Sequence, residues 1–387
     1  VLEPLGTLFI RLIRMVIVPL IASSLIVAIA GLPGRGALGR LGVRAFAFII
    51  VSLLIALHIG IGFGLFFHPG TSLTEEARVA LLAAQDSSAA PSTVSPAERP
   101  SIWDTLLDVV PSNMVGAAAQ GNILQVLFVS VIFGLGTSAL AEDRRRALVQ
   151  VLRGVSEVMV KLVGWIMIFA PVGVFGLMAA VVGRSGLSVV GSLGYYVLVV
   201  ALALGAHVAL TYTFVLVVLA RQSLLRFYRA IRPQFLIAFG TCSTAAALPV
   251  SMKVMQSEIG LSNRVASFVL PLGTALGRDG SGIYQAISVL FIAQVYDQTL
   301  GPAELGTLIL TALLAALAVA SVPAASFVNL TIILSALGLP LEGAALVLGV
   351  ERPLDMLRTS VNMTGQLVGA TWVATAEGEI SPVPAAE

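Results

Sequence analysis

A cluster of polar residues interrupts the last apolar stretch of the chain, where residues 349–366 read GVERPLDMLRTSVNMTGQ. A helix turns by about 100° per residue, so side chains three, four and seven positions apart share one face. Five of the polar residues fall within an arc of about 100° on such a helix. This pattern predicts a helix with one polar face toward a water-filled cavity. The five residues are Asp355, Arg358, Thr359, Asn362 and Gln366.

Asp355 and Arg358 are charged, and each charge costs about 2.5–3.5 kcal/mol on membrane-insertion scales. One interpretation is a structural ion pair, since the two residues are three positions apart. The other is a binding site for a zwitterionic acid, in which Asp355 receives an ammonium group and Arg358 holds a carboxylate with its forked guanidinium. Thr359 and Asn362 would supply further hydrogen bonds. Backbone N–H groups at the ends of broken helices would hold the second carboxylate.

The composition predicts an all-α polytopic membrane protein in a lipid bilayer. Apolar residues make up 58% of the 387 positions and charged residues 11%, against about 25% charged residues in soluble domains. With a mean hydropathy of +1.00, the chain has too few polar residues to coat a water-soluble fold. The net charge of +2 does not indicate a nucleic-acid surface, and a single cysteine, Cys242, excludes an intrachain disulfide framework.

Several apolar runs are long enough to span a bilayer, which takes about 20 residues per helix, and basic segments separate them. Because basic loops stay on the cytoplasmic side, 35–44, a turn at 142–146 and 221–232 are predicted to be cytoplasmic. Residues 71–101 are rich in Ser, Ala, Pro and Thr, which predicts an exposed extracytoplasmic loop. The predicted spans are 7–31, 42–67, 104–140, 156–182 and 190–220.

From residue 233 onward, small and helix-breaking residues interrupt the apolar stretches. The interruptions are 240–249 (GTCSTAAALP), 273–282 (GTALGRDGSG) and 321–326 (SVPAAS). Non-helical backbone at membrane depth is tolerated only where it is buried in protein or lines a cavity. Paired broken segments mark the substrate site in many transporters. The sequence therefore predicts a C-terminal transport core on an N-terminal scaffold.

These segments make the chain resemble the glutamate transporter family, the dicarboxylate/amino acid:cation symporters. The motifs are specific in combination and in order, across nearly the whole chain. The most specific one is DMLRTSVN at 355–362. The others are APVGVF at 170–175, LPV at 248–250, PLG at 271–273, Asp279-Gly280, Tyr284-Gln285 and Thr364-Gly365.

The resemblance implies a glutamate-transporter-like fold with two re-entrant helical hairpins, at about 233–256 and 304–340, that meet around the substrate. Residues 1–220 would be largely scaffold, formed by the family's second to sixth helices without its first, and the third helix would move with the transport core. The core would be 221–376, and 377–387 would be a tail. The resemblance also implies a homotrimer in a bacterial or archaeal plasma membrane, with an elevator-like movement of each transport core.

The resemblance further implies that the substrate is L-aspartate or L-glutamate. Relatives that carry non-amino dicarboxylates generally lack an Asp at the position of Asp355, so this residue would take the substrate ammonium group. Arg358 would take the side-chain carboxylate. The full substrate-binding set implied by similarity is Thr244, Ser281, Val322, Asp355, Arg358, Thr359 and Asn362.

The positions that match the family's sodium sites depart from its pattern. The family's seventh helix reads Asn-Met-Asp-Gly-Thr, and here 277–281 read Gly-Arg-Asp-Gly-Ser. The sodium-binding Asp of its eighth helix is an amide here. In the third helix Ser52 keeps a hydroxyl, but Ile49 and Leu53 replace its neighbours. The altered cation-site or coupling set is Ser52, Gly277, Arg278, Asp279, Asn362 and Gln366.

The positive charge of Arg278 bears on whether a sodium ion can still bind at these positions. A fixed positive charge about 4 Å from a bound sodium ion would cost about 4 kcal/mol at an effective dielectric constant of about 20. We therefore expect sodium-independent transport, in which Arg278 replaces a bound cation by neutralising Asp279. Such transport would be proton-coupled, an exchange or uncoupled. The alternative is that Arg278 turns toward Glu351 or water and a sodium site survives. No cofactor is expected beyond a coupling cation, a proton or sodium.

Two further residues could carry protons. Glu351 is the stronger candidate, with a salt bridge to Arg352 or Arg278 as its structural alternative. His58 is more easily explained as a packing residue than as a proton relay.

Rival functions are an ion channel, a C4-dicarboxylate symporter coupled to sodium or protons, and an amino-acid sensor that does not transport. Channels favour rings of like charge or carbonyl groups, unlike the pair Asp355 and Arg358. An intramembrane enzyme would need a nucleophile with a base or a set of metal ligands, which the three dispersed histidines do not supply.

Overall fold

The computed structural model describes residues 3–30, 37–72, 110–185, 188–318 and 325–381. Within these ranges the regular elements are helices, and the β-pairing is one isolated bridge between Leu261 and Ile380. The all-α prediction is therefore confirmed for the described residues. Most of the predicted loop at 71–101 lies outside them.

The first half of the chain forms helices over the apolar runs that the hydropathy predicts. The predicted span 104–140 is wrong as a single helix, because Gly121 and Asn122 divide it into a helix of 7 residues and one of 16 residues. Helix α6 continues through two π-helical turns, Val208–Tyr212 and Val215–Leu219. The helices are α1 (Glu3–Ala30), α2 (Ala37–Phe67), α3 (Met114–Gln120), α4 (Ile123–Ser138), α5 (Glu142–Ser185) and α6 (Ser188–His207).

The charged segment 142–146 is the first turn of α5, so the prediction of a turn there is wrong. Glu142 and Asp143 occupy the helix N-terminus, where acidic side chains interact favourably with the helix dipole. Glu142 also pairs with Arg145 and Arg146, three and four positions later. The same charges that suggested a loop therefore stabilise the start of a helix.

The second half of the chain consists of shorter helices. They are α7 (Leu224–Ala230), α8 (Arg232–Thr241), α9 (Thr244–Val254), α10 (Asn263–Leu276), α11 (Asp279–Val295), α12 (Pro302–Ala318), α13 (Ala325–Ala336), α14 (Ala344–Leu348) and α15 (Glu351–Glu377).

Two of the three predicted interruptions are confirmed. Cys242, between α8 and α9, has a left-handed backbone conformation with φ +53°, and Ser243 then caps α9 by accepting a hydrogen bond from the N–H of Ala246 at 3.3 Å. Gly277 and Arg278 separate α10 from α11. The third interruption, at 321–326, lies mostly outside the described residues, between α12 and α13.

Helices α11 and α15 form the centre of this arrangement. Nearly every residue of α11 is buried, and α15 packs against α8, α10 and α11. Helix α2 lies close along α11, where glycines permit the approach. A Cβ atom on Gly60 would lie 2.9 Å from the Cβ of Ala286 and 3.0 Å from the backbone oxygen of Ile283.

The C-terminal end of α15 is fastened to neighbouring helices. Glu377, with a largely buried side chain, pairs with Arg44 of α2 at 2.5 Å and with Arg40 at 3.3 Å. Glu379 pairs with Arg264 of α10 at 2.9 Å. The first residues of the expected tail thus pack onto the helices that surround α15.

Apolar side chains also cover the outside of the described helices. Phe66 of α2 is 78% exposed and Ile168 of α5 is 77% exposed. Monomeric soluble proteins rarely expose large contiguous apolar surface, whereas lipid solvates such side chains. Two helical stretches of the described residues are long and apolar enough to cross a membrane, Arg40–Ser72 and Gly191–Leu219.

The contact between α2 and α11 predicts opposite effects for two glycines on α2. Gly60→Ala should lower the free energy of unfolding by about 1–3 kcal/mol, because the new methyl group would meet rigid backbone. Gly62→Ala, which meets nothing within 4 Å, should be neutral or stabilise the helix by up to about 1 kcal/mol. Thermal unfolding of the purified variants in detergent measures both. Equal effects of the two substitutions would contradict this packing.

Candidate functional site

The guanidinium group of Arg358 is the most deeply buried charge of the site. Its side chain is 1% exposed, and its Nη2 atom lies 2.6 Å from Glu351 Oε1 and 3.0 Å from Asp355 Oδ1. The group also lies over the ring of Tyr284, 4.4 Å from the ring centroid. A buried ion persists only when it is paired and hydrogen-bonded. Two carboxylates and an aromatic face provide that environment.

Arg358 nevertheless keeps unused hydrogen-bonding capacity. Its Nη1 atom is buried and has no hydrogen-bond partner among the described residues. A buried donor left without an acceptor costs about 1–3 kcal/mol, so the site favours a ligand that brings an acceptor. A carboxylate is the acceptor that a guanidinium binds best.

Glu351 is the carboxylate nearest to the guanidinium group of Arg358. One of its oxygens accepts the Arg358 bond, and the other accepts the hydroxyl of Tyr284 at 2.5 Å. The predicted alternative of a salt bridge to Arg352 or Arg278 is therefore wrong, because the partner is Arg358, two helical turns further along α15. Both oxygens of Glu351 are engaged in orienting the guanidinium.

The other polar residues of α15 meet the start of α11. Asn362 donates from Nδ2 to the Ser281 hydroxyl at 3.0 Å and accepts from the backbone N–H of Ser281 at 3.2 Å. Gly280 allows this approach, since a Cβ atom there would lie 2.5 Å from the backbone oxygen of Arg358. Thr359 donates to Asp355 Oδ1 at 3.1 Å. Four predicted substrate residues of α11 and α15 therefore lie close to Arg358.

The turn between α8 and α9 reaches the same site. Both of these helices pack against α15. Thr244, the first residue of α9, is 2% exposed, and its hydroxyl has no partner among the described residues. Thr244 is thus a second buried group whose hydrogen-bonding capacity is unused. The seventh predicted substrate residue, Val322, lies outside the described residues.

Asp279 lies at the N-terminus of α11, within a separate buried cluster. Its Oδ2 atom accepts hydrogen bonds from Ser52 at 2.5 Å and from Tyr212 at 2.9 Å, and lies 3.4 Å from His207 Nε2. His207 and Tyr212 are fully buried. One carboxylate oxygen thus contacts polar groups from two other helices, α2 and α6.

The expectation that Arg278 neutralises Asp279 is wrong in this structure. Among the described residues, the one basic side chain within salt-bridge distance of Asp279 is His207, 3.4 Å away. Arg278 donates to the backbone oxygen of Ala275 at 3.4 Å. Successive residues at a helix start point in different directions, so the two neighbours face different surroundings.

A small cavity next to Asp279 contains the remaining altered cation-site residues. Its walls include Gly277, Asn362 and Gln366 together with the apolar side chain of Ile49. The oxygen of Gln366 accepts from Thr274 at 3.3 Å, and its amide nitrogen lies 3.5 Å from the backbone oxygen of Gly277.

These residues fit a sodium ion poorly. Sodium prefers a shell of oxygen atoms that includes carboxylate, and Asp279 is the one carboxylate among the described residues that line this cavity. The engaged oxygen of Asp279 is already hydrogen-bonded to Ser52 and Tyr212. An amide stands at Gln366, and Gly277 offers no side chain.

Sequence reasoning missed His207 and Tyr212 as site residues. Both lie in the apolar run 190–220, where the few polar side chains follow no helical period. His207 would have been visible as an ionisable residue inside a predicted span, which is by default a functional candidate. His58 bonds to the Leu54 carbonyl oxygen of its own helix at 2.7 Å and is exposed.

The comparisons with known proteins agree with the resemblance stated above. Residues 1–376 match the sodium:dicarboxylate symporter family. The chain is 36% identical over 375 residues to the proton/glutamate-aspartate symporter of Escherichia coli (strain K12), covering 96% of this chain and 84% of that protein. It is 35% identical over 385 residues to the proton/sodium-glutamate symport protein of Bacillus subtilis (strain 168), covering 99% and 88%. It is 33% identical over 386 residues to the C4-dicarboxylate transport protein of Rhizobium meliloti (strain 1021), covering 98% and 84%.

The Asp279 cluster depends on the absence of a side chain at Gly365. A Cβ atom there would lie 2.9 Å from Asp279 Oδ2 and even closer to the Tyr212 hydroxyl. Gly365→Ala should therefore destabilise the protein by about 1–3 kcal/mol. Tyr212→Phe removes the hydroxyl oxygen that lies nearest to the new methyl group. The double variant should therefore lose less free energy of unfolding than the sum of the two single variants. Thermal unfolding of all four proteins measures this coupling, and strictly additive losses would contradict the cluster geometry.

Proposed function

The chain belongs to the sodium:dicarboxylate symporter family, and we propose that it is a secondary transporter that carries L-aspartate or L-glutamate across the plasma membrane. The observation that carries the proposal is the buried Arg358 with its unpartnered Nη1, next to the carboxylate of Asp355. A cation and an anion within one buried site match a ligand that has a carboxylate and an ammonium group.

The substrate would approach Arg358 from the side opposite Glu351. Its side-chain carboxylate would accept from Nη1, and its ammonium group would donate to Asp355. Thr359 and Asn362 would bond its main-chain groups, together with the hydroxyls of Thr244 and Ser281 and the hairpin-tip residue Val322. This arrangement gives both unused buried donors, Arg358 Nη1 and Thr244 Oγ1, an acceptor.

C4-dicarboxylate transport is the second candidate, because relatives at 33% identity carry that name. Succinate has no ammonium group to offer Asp355, so binding it would leave this carboxylate with the partners it already has, Arg358 and Thr359. The names of the more similar relatives include glutamate. Both considerations favour an amino acid over a dicarboxylate without an amine.

Transport would follow the elevator-like mechanism of the family. Two re-entrant hairpins, α8 with α9 and α12 with α13, would close around the substrate, and the core 221–376 with α2 would move against the rest of 1–220. The protein would work as a homotrimer in a multi-pass membrane arrangement. The apolar exterior of the described helices suits lipid contact, which supports this proposal.

The coupling cation would be a proton rather than sodium. The support is the set of side chains around Asp279, whose Oδ2 atom lies next to Ser52, Tyr212 and His207. The amide at Gln366 further lowers the negative charge available to a metal cation. One similar relative is named a proton/glutamate-aspartate symporter, which agrees with this choice.

Substitution of the charged pair tests substrate recognition. Arg358→Met and Asp355→Asn should each weaken L-aspartate uptake into proteoliposomes by about 30-fold or more, since each removes one partner of a buried charged contact. Arg352→Met is the matched control, because Arg352 is exposed on the same helix. Uptake by the Arg358 and Asp355 variants at the level of the control would refute the assignment.

Replacement of sodium by choline tests the coupling. Uptake of L-aspartate driven by an inward proton gradient should persist in choline, because the residues of the cation cavity fit sodium poorly. Gln366→Asp restores a carboxylate to the cavity and should make uptake rise with sodium concentration, whereas the amide variant Gln366→Asn should not. A steep sodium requirement of the wild-type protein would exclude proton coupling alone.

A further inference from the structure

Two carboxylates of α15 share one nitrogen atom of the Arg358 guanidinium. The Nη2 atom lies 2.6 Å from Glu351 Oε1 and 3.0 Å from Asp355 Oδ1. The shorter contact is a charge-assisted hydrogen bond, the stronger kind of contact between a guanidinium and a carboxylate. Glu351 is therefore the closer partner of Arg358, and Asp355 is the more distant one.

These three side chains carry one positive and two negative charges. All three residues are buried, with exposed fractions of 1% for Arg358, 7% for Asp355 and 9% for Glu351. Buried charges persist when they are compensated, and one cation does not fully compensate two anions. The three residues together keep one negative charge, and it lies chiefly at Asp355 because Glu351 has the shorter contact with the cation.

Resting on the proposed function, we propose that Glu351 is a specificity-determining residue, which engages Arg358 so that Asp355 stays available for the ammonium group of the amino acid. With Asp355 as its single carboxylate, Arg358 would form a neutral ion pair and would need no further cation nearby. The second carboxylate makes the group negative by one charge, which an ammonium group neutralises. Glu351 acts through Arg358 and has no contact with the ligand in this arrangement.

The same negative charge disfavours ligands without an amine. At neutral pH aspartate carries one net negative charge, whereas succinate carries two and has no ammonium group for Asp355. Specificity is a difference between two affinities, and charge repulsion against the wrong ligand contributes to it. Glu351 thus increases the preference for an amino acid over a dicarboxylate that lacks an amine.

Glu351→Gln separates the charge of this residue from its hydrogen bonds. The amide oxygen can still accept from Arg358, and the amide N–H can donate to the hydroxyl oxygen of Tyr284, so both wild-type contacts have a replacement. Arg358 keeps Asp355 as a compensating carboxylate. Glu351→Asp retains the charge, and Glu258→Gln is the control because Glu258 is exposed.

Isothermal titration calorimetry of the purified protein with L-aspartate and with succinate gives the ratio of the two affinities. The wild type and Glu258→Gln should prefer L-aspartate by about tenfold or more. Glu351→Gln should bind L-aspartate more weakly and succinate more tightly, so that this ratio falls by about tenfold or more. Glu351→Asp should keep the wild-type ratio, because the carboxylate remains, even where both affinities fall.

A ratio in Glu351→Gln equal to that of the wild type, including a loss of both affinities by the same factor, would mean that Glu351 serves the structure alone. A fall of the ratio in Glu351→Asp as large as in Glu351→Gln would also overturn the inference, since the charge is retained there. A wild-type protein that binds neither ligand, or binds both equally, would overturn the proposed function and this inference with it. The two failures are therefore distinguishable.

Discussion

A guanidinium group buried inside a helical bundle imposes strict demands on its surroundings, and Arg358 is such a group. Its charge is compensated by Glu351 and Asp355, and its flat face is covered by Tyr284. Those partners leave one nitrogen without an acceptor. A purely structural ion pair would gain from satisfying every donor, whereas a binding site must keep one available. Helix α11 contributes Tyr284 to this environment, and α15 contributes both carboxylates.

The second buried carboxylate system, around Asp279, has a different character. Here neutral donors from α2 and α6 surround a single carboxylate oxygen, and glycine at position 365 makes the room for them. The cluster lies against the same stretch of α15 as the substrate site, since Tyr212 also lies 3.1 Å from the backbone oxygen of Val361. Movement of α15 or α11 would therefore change the contacts of both the Asp279 cluster and the substrate site. This shared contact offers a physical connection between substrate binding and the coupling cation.

Much of the site was predictable from the sequence because it depends on local periodicity. The polar stripe from Asp355 to Gln366 follows from the helical repeat, and the breaks at Cys242 and Gly277 follow from small residues next to polar ones. The direction of Arg278 was not predictable, because it depends on backbone dihedral angles at the break between α10 and α11. The role of His207 was not predictable either, since its partner Asp279 is 72 residues away along the chain. At 142–146 the sequence prediction was wrong, because a run of charged residues that is typical of a loop also suits a helix N-terminus.

The central claim is that Asp355 and Arg358 recognise a ligand carrying both an ammonium group and carboxylates. Isothermal titration calorimetry of the unmodified protein with L-aspartate and with succinate, in choline buffer, tests it most directly. The two ligands share the same carbon skeleton and carboxylates and differ in the amine. The account predicts saturable binding of L-aspartate and an affinity for succinate lower by about tenfold or more, the loss of one charge-assisted contact. Equal affinity for the two ligands, or binding of succinate alone, would contradict it.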